Sequence, residues 1–324
     1  GISKAAARAY PLVLVAAVAW FANFLHFTSF GYYEDDWYHF PSAFGQSMAD
    51  RASTTLALMG QFFQGRPLMV FYEGLFGWLC AAGGAIAFSY LLVYVFLVAS
   101  ASLFYCVLRM RFPRLFCPLA ALLFVLSPLT TVRQNLLIGV LVGPALVAVL
   151  AALLARRRHP WLSYLLAASA LLTYESIFLL FLGAPLFERS ARRRRLRAWT
   201  VHLGVCGGIL AVYVAARVAF GEARMAGAAA LPTTAVTGQT VGYTALFALQ
   251  SFWSYVYAAK TAALELSVEP IVYIAGFLVW ALLLLYRSTP ETSRFGLVGG
   301  TLERARVVLV LRRAITSGAV LLAL

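Results

Sequence analysis

Charge is what this sequence has least of. Asp, Glu, Lys and Arg make up 12% of its 324 residues, whereas 62% are hydrophobic. A soluble domain carries roughly 25% charged residues. The chain has too few to solvate a globular surface, and a bilayer as solvent removes that need. Acids are scarcer than bases, 12 against 26, for a net charge of +14. Lysine is nearly absent, with only Lys4 and Lys260 against 24 arginines, a bias that points to a GC-rich bacterial genome. The four cysteines, Cys80, Cys106, Cys117 and Cys206, lie in apolar runs without paired spacing. They read as small core residues and not as a disulfide or zinc framework. GxxxxGK, HExxH and GxSxG are also missing, which argues against an ATP-driven pump, a zinc protease and a serine hydrolase.

The bases that are present fall into short clusters between apolar runs: Lys4 and Arg8; Arg109, Arg111 and Arg114; Arg156 to Arg158; Arg189, Arg192 to Arg195 and Arg197; and six arginines within 287–313. This is the positive-inside pattern of cytoplasmic loops. No basic face interleaves with aromatics, so no nucleic-acid partner is expected.

With the clusters inside, the topology follows: an all-α polytopic integral membrane protein, one transmembrane domain over 1–324 with about nine spans. Span one (11–30) reads as a retained signal anchor. The others are 84–108, 115–128, 136–155, a tight hairpin of 160–173 and 175–187 turning at Tyr174-Glu175, then 199–219, 268–286 and 314–324. The last has about half the length a span needs and is expected to stop inside a helix. The first large outer loop is 31–83 and the second is 220–264. Residues 67–82 have helical apolar spacing and carry Glu73; they are read as an amphipathic helix in the outer interface. On this topology nine of the twelve acids face outward or sit at the outer interface.

The densest chemistry is Tyr32-Tyr33-Glu34-Asp35-Asp36-Trp37-Tyr38-His39, directly after span one. Three adjacent carboxylates cannot all stay ionised at no cost, which favours a metal or a proton-transfer role. The flanking aromatics suit a sugar ring; the alternative is a solvated loop tip with interfacial anchors. Arg66, in Gly65-Arg66-Pro67, opens the interfacial helix and is a phosphate candidate, or else a headgroup snorkel. Arg133 is the only charge between the third and fourth spans and is a second phosphate candidate, or a helix cap. Glu175 sits in the middle of an apolar hairpin, where an ionisable group is functional by default; the alternative is a pair with a buried arginine such as Arg217, at the outer end of span seven. His39 would assist a metal or orient a carboxylate. Asp50, Arg51, Glu222 and Arg224 read as solvated.

The order of these parts resembles the GT-C superfamily of membrane glycosyltransferases, whose members include protein O-mannosyltransferases, the aminoarabinose transferase of lipid A and O-antigen-modifying glucosyltransferases. The resemblance rests on Asp35-Asp36 after span one, the amphipathic outer loop, Gly65-Arg66-Pro67-Leu68 leading a juxtamembrane helix, a long second span ending in basic residues, and the hairpin at Leu172-Thr173-Tyr174-Glu175. It covers roughly residues 1–220. The chain has an acid at Glu175 where many relatives carry lysine, and no acid in 129–135, where metal-dependent relatives have some.

The resemblance implies a hexosyl- or pentosyltransferase of inverting type in a bacterial cytoplasmic (inner) membrane, its site facing the periplasm or exterior, at work in cell-envelope glycan biosynthesis. The donor would be a polyprenyl-phosphate-linked sugar, and the acceptor a glycan, lipid or protein hydroxyl. Asp36 or Asp35 would be the general base, and Arg66 and Arg133 would hold the donor phosphate. Glu34, Trp37, Tyr38, His39, Glu175 and Arg217 would line the substrate site. A divalent cation, Mg or Mn, is left open, with Asp35 and Asp36 as its ligands. The alternative is a transporter or flippase of lipid-linked sugar or glycan, which would share the spans and the outward charges.

Overall fold

The computed structural model describes residues 4–31, 36, 46–83, 86–112, 116–126, 136–187 and 192–222. Every regular element among them is helical: α1 Lys4–Ala19, α2 Met48–Gly60, α3 Pro67–Gly83, α4 Ala87–Leu108, α5 Phe116–Val125, α6 Leu136–Ala155, α7 Pro160–Thr173, α8 Glu175–Phe178 and α9 Arg192–Ala219. A π turn, Trp20–Phe24, extends α1, and a 3-10 stretch, Leu179–Phe187, extends α8. Four segments are long and apolar enough to cross a bilayer: Ala9–Ser29, Ala87–Leu108, Leu136–Ala155 and Leu196–Ala219. The chain therefore fits an all-α membrane protein. The outer surface agrees, because Phe21, Leu123, Leu196 and Val212 are all about 70% exposed, an arrangement that only an apolar solvent tolerates along whole helices.

The long helices pack with small residues between them. On α6, Gly143 lies against Phe96 of α4, and an added Cβ there would come within 2.9 Å of the Phe96 Cβ. Close approach of this kind is how helices associate where lipid offers no hydrophobic drive. Span one runs against α4 through Tyr94, whose hydroxyl donates to the Ala16 carbonyl and whose ring meets Trp20 and Phe24. Asn23 Nδ2 donates to the carbonyl of Val125 on α5 at 3.2 Å.

The packing sorts the helix ends into two groups. At one end, Arg111 donates to the Leu186 carbonyl at 2.8 Å and Arg157 to the Phe187 carbonyl at 2.7 Å. Arginines here satisfy the last carbonyls of a helix, where positive charge also suits the dipole. At the other end, the Tyr90 hydroxyl of α4 donates to the Gly31 carbonyl, and Asp36 meets the start of α6. α3 begins beside the α7–α8 break, through Arg66 and Glu175. Its last turn leads directly to the start of α4, so both of its ends lie at this second end. It crosses that end and does not run from one end to the other.

Several expectations are refined. The hairpin segment 175–187 is helical over its expected bounds, as one short α turn followed by 3-10 helix around Pro185; Pro185 has no N–H to give to an α ladder. Span seven was expected to start at residue 199, whereas the helix starts at Arg192. Amphipathic juxtamembrane helices were expected in the first outer loop, 31–83, with bounds only for 67–82; α2 is a second helix there. Its start is set by Ser47, whose Oγ accepts the Asp50 N–H at 3.2 Å, an N-cap of ordinary kind. The expected spans 268–286 and 314–324 and the loop 220–264 lie outside the described residues apart from 220–222.

Candidate functional site

Four expected site residues from distant parts of the sequence, Asp36, Arg66, Glu175 and Arg217, stand at the same end of the bundle. Asp36 is fully buried. Its Oδ2 accepts the Leu136 N–H at 3.0 Å and its Oδ1 accepts the Leu137 N–H at 2.7 Å. The first amides of a helix have no partner within it, and a carboxylate there answers both the open donors and the positive end of the dipole. Asp36 thus caps α6 from a hundred residues upstream.

Arg66 and Glu175 form a two-pronged pair, Nε to Oε2 at 2.5 Å and Nη2 to Oε1 at 2.8 Å. The Arg66 guanidinium also lies over the Tyr174 ring, 4.8 Å from its centroid. Glu175 sits where the chain breaks between α7 and α8, outside the four long apolar segments. Tyr174 is extended there, with φ −156° and ψ 103°, and so cannot continue α7. Burial works to raise the Glu175 carboxyl pKa, but the Arg66 hydrogen bonds, its own helix N–H and the charges of Arg66 and Arg217 outweigh it and hold it below the ordinary value. Burial likewise works against the Arg66 charge, and Glu175 more than offsets it, leaving the guanidinium above its usual range.

Arg217 completes the group. Its Nε and Nη2 reach Glu222 Oε2 at 2.7 and 2.6 Å, its Nη1 donates to the Tyr213 hydroxyl at 3.2 Å, and Nη1 stands 4.0 Å from Glu175 Oε1. Gly65 makes room for it. That residue has φ +72°, and a Cβ on it would sit 2.6 Å from Arg217 Nε. Glycine is needed here twice over, for the left-handed backbone and for the contact. The motif Gly65-Arg66 therefore seats one arginine on its glycine while its own arginine grips Glu175.

Two residues expected to be solvated have side chains with little exposure. Glu222 is 6% exposed at its side chain and paired with Arg217. Arg51 is 6% exposed and is the one buried residue of α2. Glu222 sits three residues past the end of α9, beyond the i, i+3 and i, i+4 spacings that would announce a pair with Arg217. The alternative partner expected for Glu175, Arg217, is the more distant one; Arg66 takes the direct contact. Asp50 is exposed, as expected. Glu34, Asp35, Trp37, Tyr38, His39, Arg133 and Arg224 lie outside the described residues.

Of the two candidate cation ligands, only Asp36 is among the described residues. It turns both oxygens to N–H donors at the positive end of α6, a place that disfavours a cation. Among the described residues no three His, Cys, Asp or Glu side chains cluster as a metal site would require. No protein-family model matches the chain, and comparison with curated proteins and solved structures gives no match.

Proposed function

We propose that the chain is an inverting glycosyltransferase of GT-C type that moves a sugar from a polyprenyl-phosphate donor to a hydroxyl acceptor at the acidic end of its bundle. The observation that carries this reading is the convergence of Asp36, Arg66, Glu175 and Arg217 at one end, opposite the arginine clusters that the positive-inside rule assigns to the cytoplasm. That end would face the periplasm or exterior, which suits a lipid-borne donor and explains the lack of a nucleotide-binding motif.

In the reaction, the acceptor oxygen attacks the anomeric carbon as the bond from that carbon to the phosphate oxygen breaks. Polyprenyl phosphate leaves with the bonding pair, and a carboxylate takes the acceptor proton. Asp36 and Asp35 are the candidates. Asp36 is turned to the α6 backbone and is suited to hold the site in register, so the proton falls to its neighbour Asp35. Arg66 and Arg133 would answer the charge that develops on the phosphate; at Arg66 the phosphate would compete with Glu175 for the guanidinium fork.

The test is transfer from a panel of synthetic polyprenyl-phosphate sugars in nanodiscs, with wild type, Asp35→Asn and Asp36→Asn, with and without chelator. Release of polyprenyl phosphate by wild type, lost in Asp35→Asn and kept in chelator, is the expected result. Donors that bind wild type and both variants alike but are never consumed would move a transporter of lipid-linked sugar ahead of the transferase.

A further inference from the structure

Helix α2 places a cation on its inward face and leaves two large apolar side chains exposed. Its single buried residue is Arg51, while Met48 and Leu56 are 60% and 67% exposed. Arg51 lies one turn before Thr55 and so on the same helix face. Thr55 presses on α3 closely enough that a Cβ on Gly74 would stand 2.5 Å from its hydroxyl oxygen. Arg51 thus lies on the inward face of α2 with the half-buried Thr55, Leu58 and Met59, whereas Met48 and Leu56 stand on its exposed side.

Arg51 Nε and Nη1 are buried and meet no hydrogen-bond acceptor among the described residues. Five other described arginines differ. Arg66, Arg111, Arg156, Arg157 and Arg217 each donate to a named oxygen. A guanidinium cannot shed its proton to escape burial, and a buried charge without a partner is strongly unfavourable. Among the described residues, nothing answers the charge at these two nitrogens.

We propose that Arg51 is the anchor of an anion site that takes a phosphate group. Phosphate fits better than carboxylate for two reasons. Its oxygens are spread tetrahedrally and can meet N–H groups on more than one edge of the guanidinium. And the outward Met48 and Leu56 set this residue beside lipid, where phosphate is the prevalent anion. The phosphate belongs either to a lipid headgroup or to a free phosphate ion. The site does not depend on the transferase reading, and its test requires no turnover.

The experiment uses the full chain purified in detergent and follows its thermal unfolding. Inorganic phosphate and, separately, a short-chain phosphatidylglycerol are titrated against chloride at matched ionic strength. Wild type, Arg51→Gln and Arg51→Lys are compared. At least one probe is expected to raise the wild-type Tm, with the half-saturating concentration raised by about tenfold or more in Arg51→Gln and by less in Arg51→Lys. Without ligand, Arg51→Gln should unfold at the same or a higher temperature, because a buried unpaired charge has been removed. A response to inorganic phosphate assigns the free ion, and a response to phosphatidylglycerol alone assigns the headgroup. The proposal is overturned by no response to either probe, by an equal response in Arg51→Gln, or by an Arg51→Gln chain that fails to fold or unfolds earlier without ligand, which would mean that Arg51 holds the fold together.

Discussion

Arg66 and Glu175 stand 109 positions apart in the chain and meet as two parallel forks, at 2.5 and 2.8 Å. The pair ties the loop before α3 to the break between α7 and α8, and so fixes the crossing helix on the hairpin. Both side chains are partly buried, 15% and 30% exposed, which places the pair between the surface and interior regimes. Removing either partner as Arg66→Ala or Glu175→Ala should cost about 1–3 kcal/mol. Removing both should cost less than the sum of the two, because neither charge is then left alone. Denaturant unfolding of the four members of the cycle measures this. Strict additivity would mean that the forks contribute nothing jointly.

The same pair sets a pH dependence. Glu175 has its carboxyl held below its ordinary 4.5, so the folded state binds its proton less readily than the unfolded state does. Its contribution to stability is fully present above the unfolded value and is lost as pH falls through the lower folded value. The unfolding midpoint of wild type should therefore drop on acidification below about pH 4.5 more steeply than that of Glu175→Gln, the gap closing at the acid extreme. Parallel profiles for the two proteins between neutral and acid pH would contradict the assignment.

Gly65 makes a separate prediction because two costs fall on one atom. A Cβ there must accept φ +72° and must displace Arg217, which it would approach at 2.6 Å. The backbone part alone is about 1–2 kcal/mol for a non-glycine residue. Gly65→Ala should lose more than that in the wild-type background and only about that in an Arg217→Ala background. Equal losses in both backgrounds, read by thermal or denaturant unfolding, would show that Arg217 is not seated on Gly65.

Much of this arrangement was legible before any coordinates. The limits of α6 and α7, 136–155 and 160–173, follow from uninterrupted apolar runs closed by Arg156 and Tyr174. Glu175 and Arg66 stood out because each is an isolated charge among apolar residues, where function or pairing must explain it. Their mutual contact was not legible, since nothing in spacing relates positions 66 and 175. The bounds of α2 were not legible because its inward face, Arg51, Thr55, Leu58 and Met59, mixes a charge and a hydroxyl with apolar residues and leaves no apolar stripe. Arg51 and Glu222 were misjudged for a related reason: a charge in a loop-like stretch reads as solvated, and only the folded structure shows that Arg51 is buried and that Arg217 pairs with Glu222. The role of Asp36 was half visible. Its place in an acidic run marked it for chemistry, whereas its hold on α6 is a tertiary contact over a hundred residues.

That hold gives the most discriminating variant. Asp36 offers one acceptor oxygen to Leu136 N–H and the other to Leu137 N–H, at 3.0 and 2.7 Å, with no exposure to solvent. Asp36→Asn keeps the shape but replaces one acceptor with an NH2, which then faces an amide hydrogen, donor against donor. It also removes the negative charge from the helix start. The expected loss is about 2–3 kcal/mol, concentrated at the first turn of α6. Hydrogen exchange of the backbone amides at Leu136 and Leu137 should accelerate in Asp36→Asn and stay unchanged in Asp35→Asn. The two variants thus separate a frame residue from a proton acceptor. If Asp36→Asn stops transfer while the Leu136 and Leu137 amides remain as protected as in wild type, Asp36 is itself the base and the capping role does not govern it. If exchange and transfer fail together in Asp36→Asn, and transfer alone fails in Asp35→Asn, the acidic run divides its work between holding α6 and moving the proton.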